Sequence, residues 1–188
     1  MSPAIIFDLH LVLGYVAWLP CTAAYILPKL KTMNSVDAQR AIAMLHGFRF
    51  FGLVFILPGV VGHNLPQAFA TFAAYGDFAT GLLALLALFT VRIRSLFWPL
   101  VVAFNLVGAV DLIGDYYLGW TRGLAALSGE LGATYVIPII YVPLLMITHV
   151  IAFYFLLRRS TNAATVAARD VAVSSPSTGL PSKAAATF

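Results

Sequence analysis

The sequence predicts an all-α polytopic bundle of five transmembrane helices, with the N-terminus outside and a disordered cytoplasmic tail. Three observations predict it. First, the 188 residues are 61% hydrophobic and 10% charged, where a soluble domain carries about 25% charged residues. Mean hydropathy is +0.93, and a chain of this length cannot hide so much apolar surface from water. Second, five apolar runs approach the length of about 20 residues that crosses a bilayer. Third, the basic residues between the runs fall almost entirely on one side.

The first run covers residues 4–27. The start, MSPAIIFDLH, has no basic region and no small-residue cleavage site after its apolar stretch, so it reads as a retained helix rather than a signal peptide. The second run covers 41–61, after the polar basic loop PKLKTMNSVDAQR. The third covers 69–91, after HNLPQ, and the fourth covers 97–120, after RIRS. Trp98 and Trp120 bracket the fourth as interfacial aromatics. The fifth covers 134–157, where Pro138 and Pro143 are expected to kink the helix, as is Pro58 in the second. Residues 1–159 then form the membrane domain. Residues 160–188, rich in Ala, Ser, Thr and Pro, form the expected disordered tail.

Orientation follows from charge. Lys29, Lys31, Arg40, Arg92, Arg94, Arg158 and Arg159 share one side of a five-span chain, and Arg122 lies on the other. The positive-inside rule makes the first side cytoplasmic. The net charge of +4 therefore reports topology, not nucleic-acid binding. The single Cys21 rules out an intrachain disulfide framework. The expected location is a cell membrane, that of a bacterial inner membrane.

Polar residues inside the runs call for a partner or a function. In the second run His46, Arg49, Gly52, Ile56, Gly59 and His63 follow helical spacing and share a stripe. In the fourth, Asn105, Gly108, Asp111 and Asp115 do so. In the third, Asp77 shares a face with Ala73 and Gly81, and in the first His10 lies with Gly14, Ala17 and Cys21. Small residues mark close helix packing in membranes, so these stripes face inward. At a rise of about 1.5 Å per residue, an inner layer holds His46, Arg49, Asn105 and His149. An outer layer holds Asp77, Asp111, Asp115, His10 and His63.

Arg49 therefore expects Asp77 or Asp111 as its partner. The pair reads either as a structural lock on helix register or as an anchor for a carbonyl, carboxylate or phenolate of a ligand. The candidate ligand-binding residues are Arg49, His46, Asp77, Asp111, His149 and Asn105, with Asp115 and His63 closer to water. His46 or His149 is suited to shuttle protons near neutral pH. Histidine pairs at matched depth, His46 with His149 and His10 with His63, also fit haem ligation. Carboxylates with imidazole, His10 and His63 among them, fit a metal. Three functional classes follow. The first is a bundle that binds, and as an enzyme would transform, a lipophilic small molecule in its polar core. The second is a non-catalytic subunit or assembly factor of a larger membrane complex. The third is a haem- or metal-bearing electron carrier.

GFRFFGL at 47–53, LIGD at 112–115 and TH at 148–149 occur in that order on apolar runs. Residues 41–157 resemble DoxX-like small bacterial integral membrane proteins in this respect. The resemblance implies a small helical bundle without a settled activity. The first run and the long tail depart from that pattern.

Overall fold

Apolar runs of this length can satisfy their backbone in lipid only as helices or closed barrels, and helices are what form. The computed structural model describes the backbone of residues 1–174 and the side chains of residues 1–159. Helix α1 is Pro3–Cys21, continued through a π turn, Thr22–Ile26, into α2, Leu27–Thr32. Helix α3 is Ser35–His46, and a 3₁₀ helix, Gly47–Ile56, extends it. Then come α4, Gln67–Phe89, and α5, Arg94–Thr121. A 3₁₀ stretch, Ser128–Tyr135, and a π turn, Ile137–Tyr141, lead into α6, Val142–Ser174. The described residues contain no strand beyond an isolated bridge between Pro58 and Val61.

Among the described residues four helices, not the expected five, are long and apolar enough to cross a membrane: Pro3–Thr32, Gln67–Phe89, Arg94–Thr121 and Ile137–Arg159. The second expected span is the exception. It divides at Gly47 into α3 and the 3₁₀ helix, and it ends at Ile56 before Pro58. A 3₁₀ helix repeats every 3.0 residues. His46, Arg49, Gly52 and Phe55 are accordingly all buried, and Ile56, which α-helical spacing would turn inward, is exposed. Gly59 and His63 of the predicted stripe lie in the turns that follow. Runs of 3₁₀ longer than three or four residues are uncommon. This one is held by close packing on α4, where a Cβ on Gly81 would stand 2.7 Å from the backbone nitrogen of Phe50.

The chain contains two compact units, Met1–Leu156 and Leu157–Phe188. The expected tail, residues 160–188, begins in α6, whose backbone is helical to Ser174. Residues 175–188 lie outside the described residues.

Within the first unit Pro143 shapes the contact between α1 and the start of α6. Pro143 has no N–H to give the carbonyl of Ile139, and Gly14 of α1 packs against that freed oxygen. Trp18 Nε1 donates to the next carbonyl, Ile140, at 2.8 Å. Two apolar clusters fill the interior. One contains Phe55, Ala74, Leu112 and Leu145, the other Ile42, Ala84, Phe104 and Ile151. Five buried polar residues fall, along their elements, between a member of one cluster and a member of the other. Arg49 lies between Ile42 and Phe55, Asp77 between Ala74 and Ala84, Asn105 and Asp111 between Phe104 and Leu112, and His149 between Leu145 and Ile151.

Candidate functional site

All six candidate residues from the second to fifth runs meet in this belt. Arg49 is 0% exposed. Its Nε donates to Asp77 Oδ1 at 2.6 Å, and its Nη2 donates to Asp111 Oδ2. Its Nη1 donates to the Gly108 carbonyl and to His149 Nε2, both at 3.3 Å. Arginine has five N–H groups and no acceptor, so these contacts use four of the five. The partner expected from depth is therefore not one carboxylate but both.

The arginine also fixes a tautomer. It can only donate, so His149 Nε2 accepts, and the ring proton sits on Nδ1, which donates to Asn105 Oδ1 at 2.9 Å. Asn105 Nδ2 passes on to the Val101 carbonyl at 2.8 Å. His46 packs on His149 with ring centroids 4.1 Å apart and the rings tilted by 43°. Its Nε2 meets Thr148 Oγ1 at 3.0 Å. The Thr148 hydroxyl already donates to the carbonyls of Leu144 and Leu145, so His46 is the donor to it. The His46 and His149 rings touch, which leaves no room for a macrocycle between them. His10 is bound elsewhere, to the Tyr135 hydroxyl at 3.0 Å, and His63 sits in an exposed turn. Among the described residues no group of three or more His, Cys, Asp or Glu converges as a metal site.

Glycines make the belt fit. A Cβ on Gly52 would collide with the Asp77 carboxylate, and one on Gly76 with that of Asp111. A Cβ on Gly108 would lie 2.5 Å from His149 Nε2 and 2.7 Å from Arg49 Nη1. The spacing of Asn105, Gly108 and Asp111 was the signal for this face. The roles of Gly76, the Gly108 carbonyl and Thr148 had no such signal.

A cavity of about 410 Å³ adjoins the belt. Asp77 and Asp115 belong to its wall, with Phe7, Phe55, Phe69 and Tyr116. Arg49 is not part of that wall. Asp77 therefore has the belt on one side and the cavity on the other. Asp115, expected near water, is half-buried, and its Oδ1 is buried without a hydrogen-bond partner. Asp111 Oδ1 is likewise buried and unpartnered. The neighbouring Tyr116 hydroxyl is bonded to that of Tyr15 at 2.7 Å, which ties α1 to α5 beside the cavity.

No curated protein and no solved structure matches the chain. A family model does match, over residues 6–157, a range that holds most of α1, all of α2 to α5, the belt and every residue of the cavity wall except Ala4. The chain belongs to the family described as a domain of unknown function, DUF8737.

Proposed function

We propose that the chain is a multi-pass protein of a bacterial inner membrane that binds a lipophilic small molecule in the cavity beside its polar belt. The observation that carries this reading is the cavity itself. Its volume falls in the range of about 300–1,000 Å³ found for small-molecule sites, and such sites pair apolar walls with a few polar groups. Arg49 then serves as the structural lock that holds Asp77 at the cavity wall. The likeness of GFRFFGL, LIGD and TH to DoxX-like proteins is the support for a bacterial source.

The composite segment of α3 and the 3₁₀ helix is read as a fifth crossing. Gly47 packs toward Leu85, the backbone at Phe50 toward Gly81, Gly52 toward Asp77, and Phe55 toward Phe69. The segment therefore runs antiparallel along α4 from residue 85 to residue 69, about 24 Å at the α-helical rise. Charge supports the same count. With five crossings, seven loop or flanking basic residues face Arg122 alone. Were this segment not to cross, Lys29, Lys31, Arg40 and Arg122 would oppose Arg92, Arg94, Arg158 and Arg159, four against four, and the positive-inside bias would vanish. A Lys31→Cys variant in a Cys21→Ser background should therefore resist an impermeant maleimide applied from outside; labelling there would reverse the topology.

Native mass spectrometry of the detergent-purified protein tests the binding reading. The wild-type chain should carry a co-purified small molecule. Ala126→Trp, at an exposed position of the cavity wall, should lose it while remaining monodisperse. Identical spectra for the two proteins would sink the reading.

One observation favours a second reading, a non-catalytic subunit or assembly factor of a larger membrane complex. In the first long helix 6% of the most apolar stretch is buried, against 39% in each of the other three. A partner helix seated on α1 would cover it. The same spectra, recorded after gentle membrane extraction, would then show a second polypeptide in stoichiometric amount.

A further inference from the structure

The wall of the cavity has a one-sided chemistry. It contains three carboxylates, Asp8, Asp77 and Asp115, and no lysine, arginine or histidine. Arg49 is turned away into the belt, and one acidic group of the wall, Asp77, is already its partner. Asp115 is not paired: its buried Oδ1 has no hydrogen-bond donor within reach. The rest of the wall is rich in aromatic residues: Phe7, Phe55, Phe69, Tyr116 and Trp120.

Burying a carboxylate without a counter-charge is costly. Aromatic faces attract cations through their negative π surfaces. An anionic ligand would be repelled by these carboxylates, and a neutral donor would satisfy the Asp115 oxygen without balancing its charge. We propose that the cavity takes a lipophilic ammonium group, with the charged nitrogen at Asp115 and the apolar part against the phenylalanines. This rests on the binding reading above and names the ligand class. The wall includes exposed Asp8 and Trp120 as well as buried Asp77. The ammonium belongs either to a free hydrophobic amine or to a lipid headgroup.

Calorimetric titration of the protein in phosphatidylglycerol nanodiscs distinguishes these cases with three matched probes. They are 2-phenylethylamine, cationic at neutral pH, 2-phenylethanol and 3-phenylpropanoate. The amine should bind about tenfold or more tightly than the alcohol, the scale of one buried contact to a charged group, and the carboxylate should bind weakest. Asp115→Asn should lower amine affinity by about the same factor and leave the alcohol unchanged. Asp8→Asn, at an exposed position, should lower it less and provides a second variant should Asp115→Asn fail to fold. Repetition in nanodiscs containing phosphatidylethanolamine identifies the source: competition assigns the ammonium to a headgroup, and equal affinity assigns it to a free amine. If amine and alcohol bind alike, and Ala126→Trp blocks both, the ammonium assignment is wrong and the cavity reading survives. If none of the probes binds, or Ala126→Trp changes nothing, both fail.

Discussion

The belt around Arg49 and the cavity beside it share a wall at Asp77, yet their carboxylates differ: Asp77 and Asp111 each hold an Arg49 N–H, although Asp111 Oδ1 is buried without a partner, and Asp115 has no such cation. In the belt nearly every donor has an acceptor: Arg49 reaches two carboxylates, a carbonyl and an imidazole, and His149 is held at both nitrogens. Glycines 52, 76 and 108 bring the backbone so near that no added atom fits. In the cavity a carboxylate oxygen of Asp115 has no partner, and about 410 Å³ lies next to it. A buried charge therefore does not by itself mark a ligand site. The charge that is satisfied holds the helices in register, and the charge that is left over, with space beside it, is the one available to a ligand.

The largest effect that would break this contrast comes from Arg49→Gln. It would leave two buried carboxylates without their cation, and removal of one partner of a buried ion pair costs about 3–5 kcal/mol. Unfolding in mixed detergent should show that loss. Adding Asp77→Asn and Asp111→Asn to the same chain should restore part of the stability, because the stranded charges are then gone. If Arg49→Gln unfolds like wild type, the belt is incidental packing.

A smaller effect sharpens the steric half of the comparison. Gly108→Ala places a methyl group within 2.5–2.7 Å of His149 and Arg49. Overpacking of that kind costs about 1–3 kcal/mol, visible in the same unfolding measurement. Gly123→Ala is a poor control because its φ is +68°. Gly129→Ala is a good one: its φ is not positive and no atom lies within 4 Å of the added Cβ. Equal losses at Gly108 and Gly129 would mean that the belt is loosely packed.

Much of the belt was legible in the sequence. Asn105, Gly108 and Asp111 keep α-helical spacing because α5 is a regular helix, and Ala73, Asp77 and Gly81 do so on α4. The stripe of the second run was legible only as far as Gly52. Beyond it the 3₁₀ period brings Phe55 inward in place of Ile56, and hydropathy carries no mark of that change because both residues are apolar. The link between Arg49 and its acids followed from depth, since a long side chain reaches from one layer to the next. The cavity was not legible. Its wall draws on α1, the 3₁₀ helix, α4, α5 and the segment before α6, and its apolar residues have the same sequence signature as residues that face lipid. Asp115 was placed near water by its position along α5; in the fold its Oδ1 is buried at a cavity wall.

The contrast between the two regions is tested most directly by paired truncations, Asp77→Ala and Asp115→Ala, unfolded side by side in the same detergent. Asp77 holds an Arg49 N–H at 2.6 Å, and loss of a hydrogen bond to a charged group costs about 1.5–3 kcal/mol. Asp115 holds nothing that its loss would strand, so Asp115→Ala should stay within about 0.5 kcal/mol of wild type. Equal costs for the two variants, or a greater cost at Asp115, would contradict the division of this interior into a structural belt and a ligand cavity.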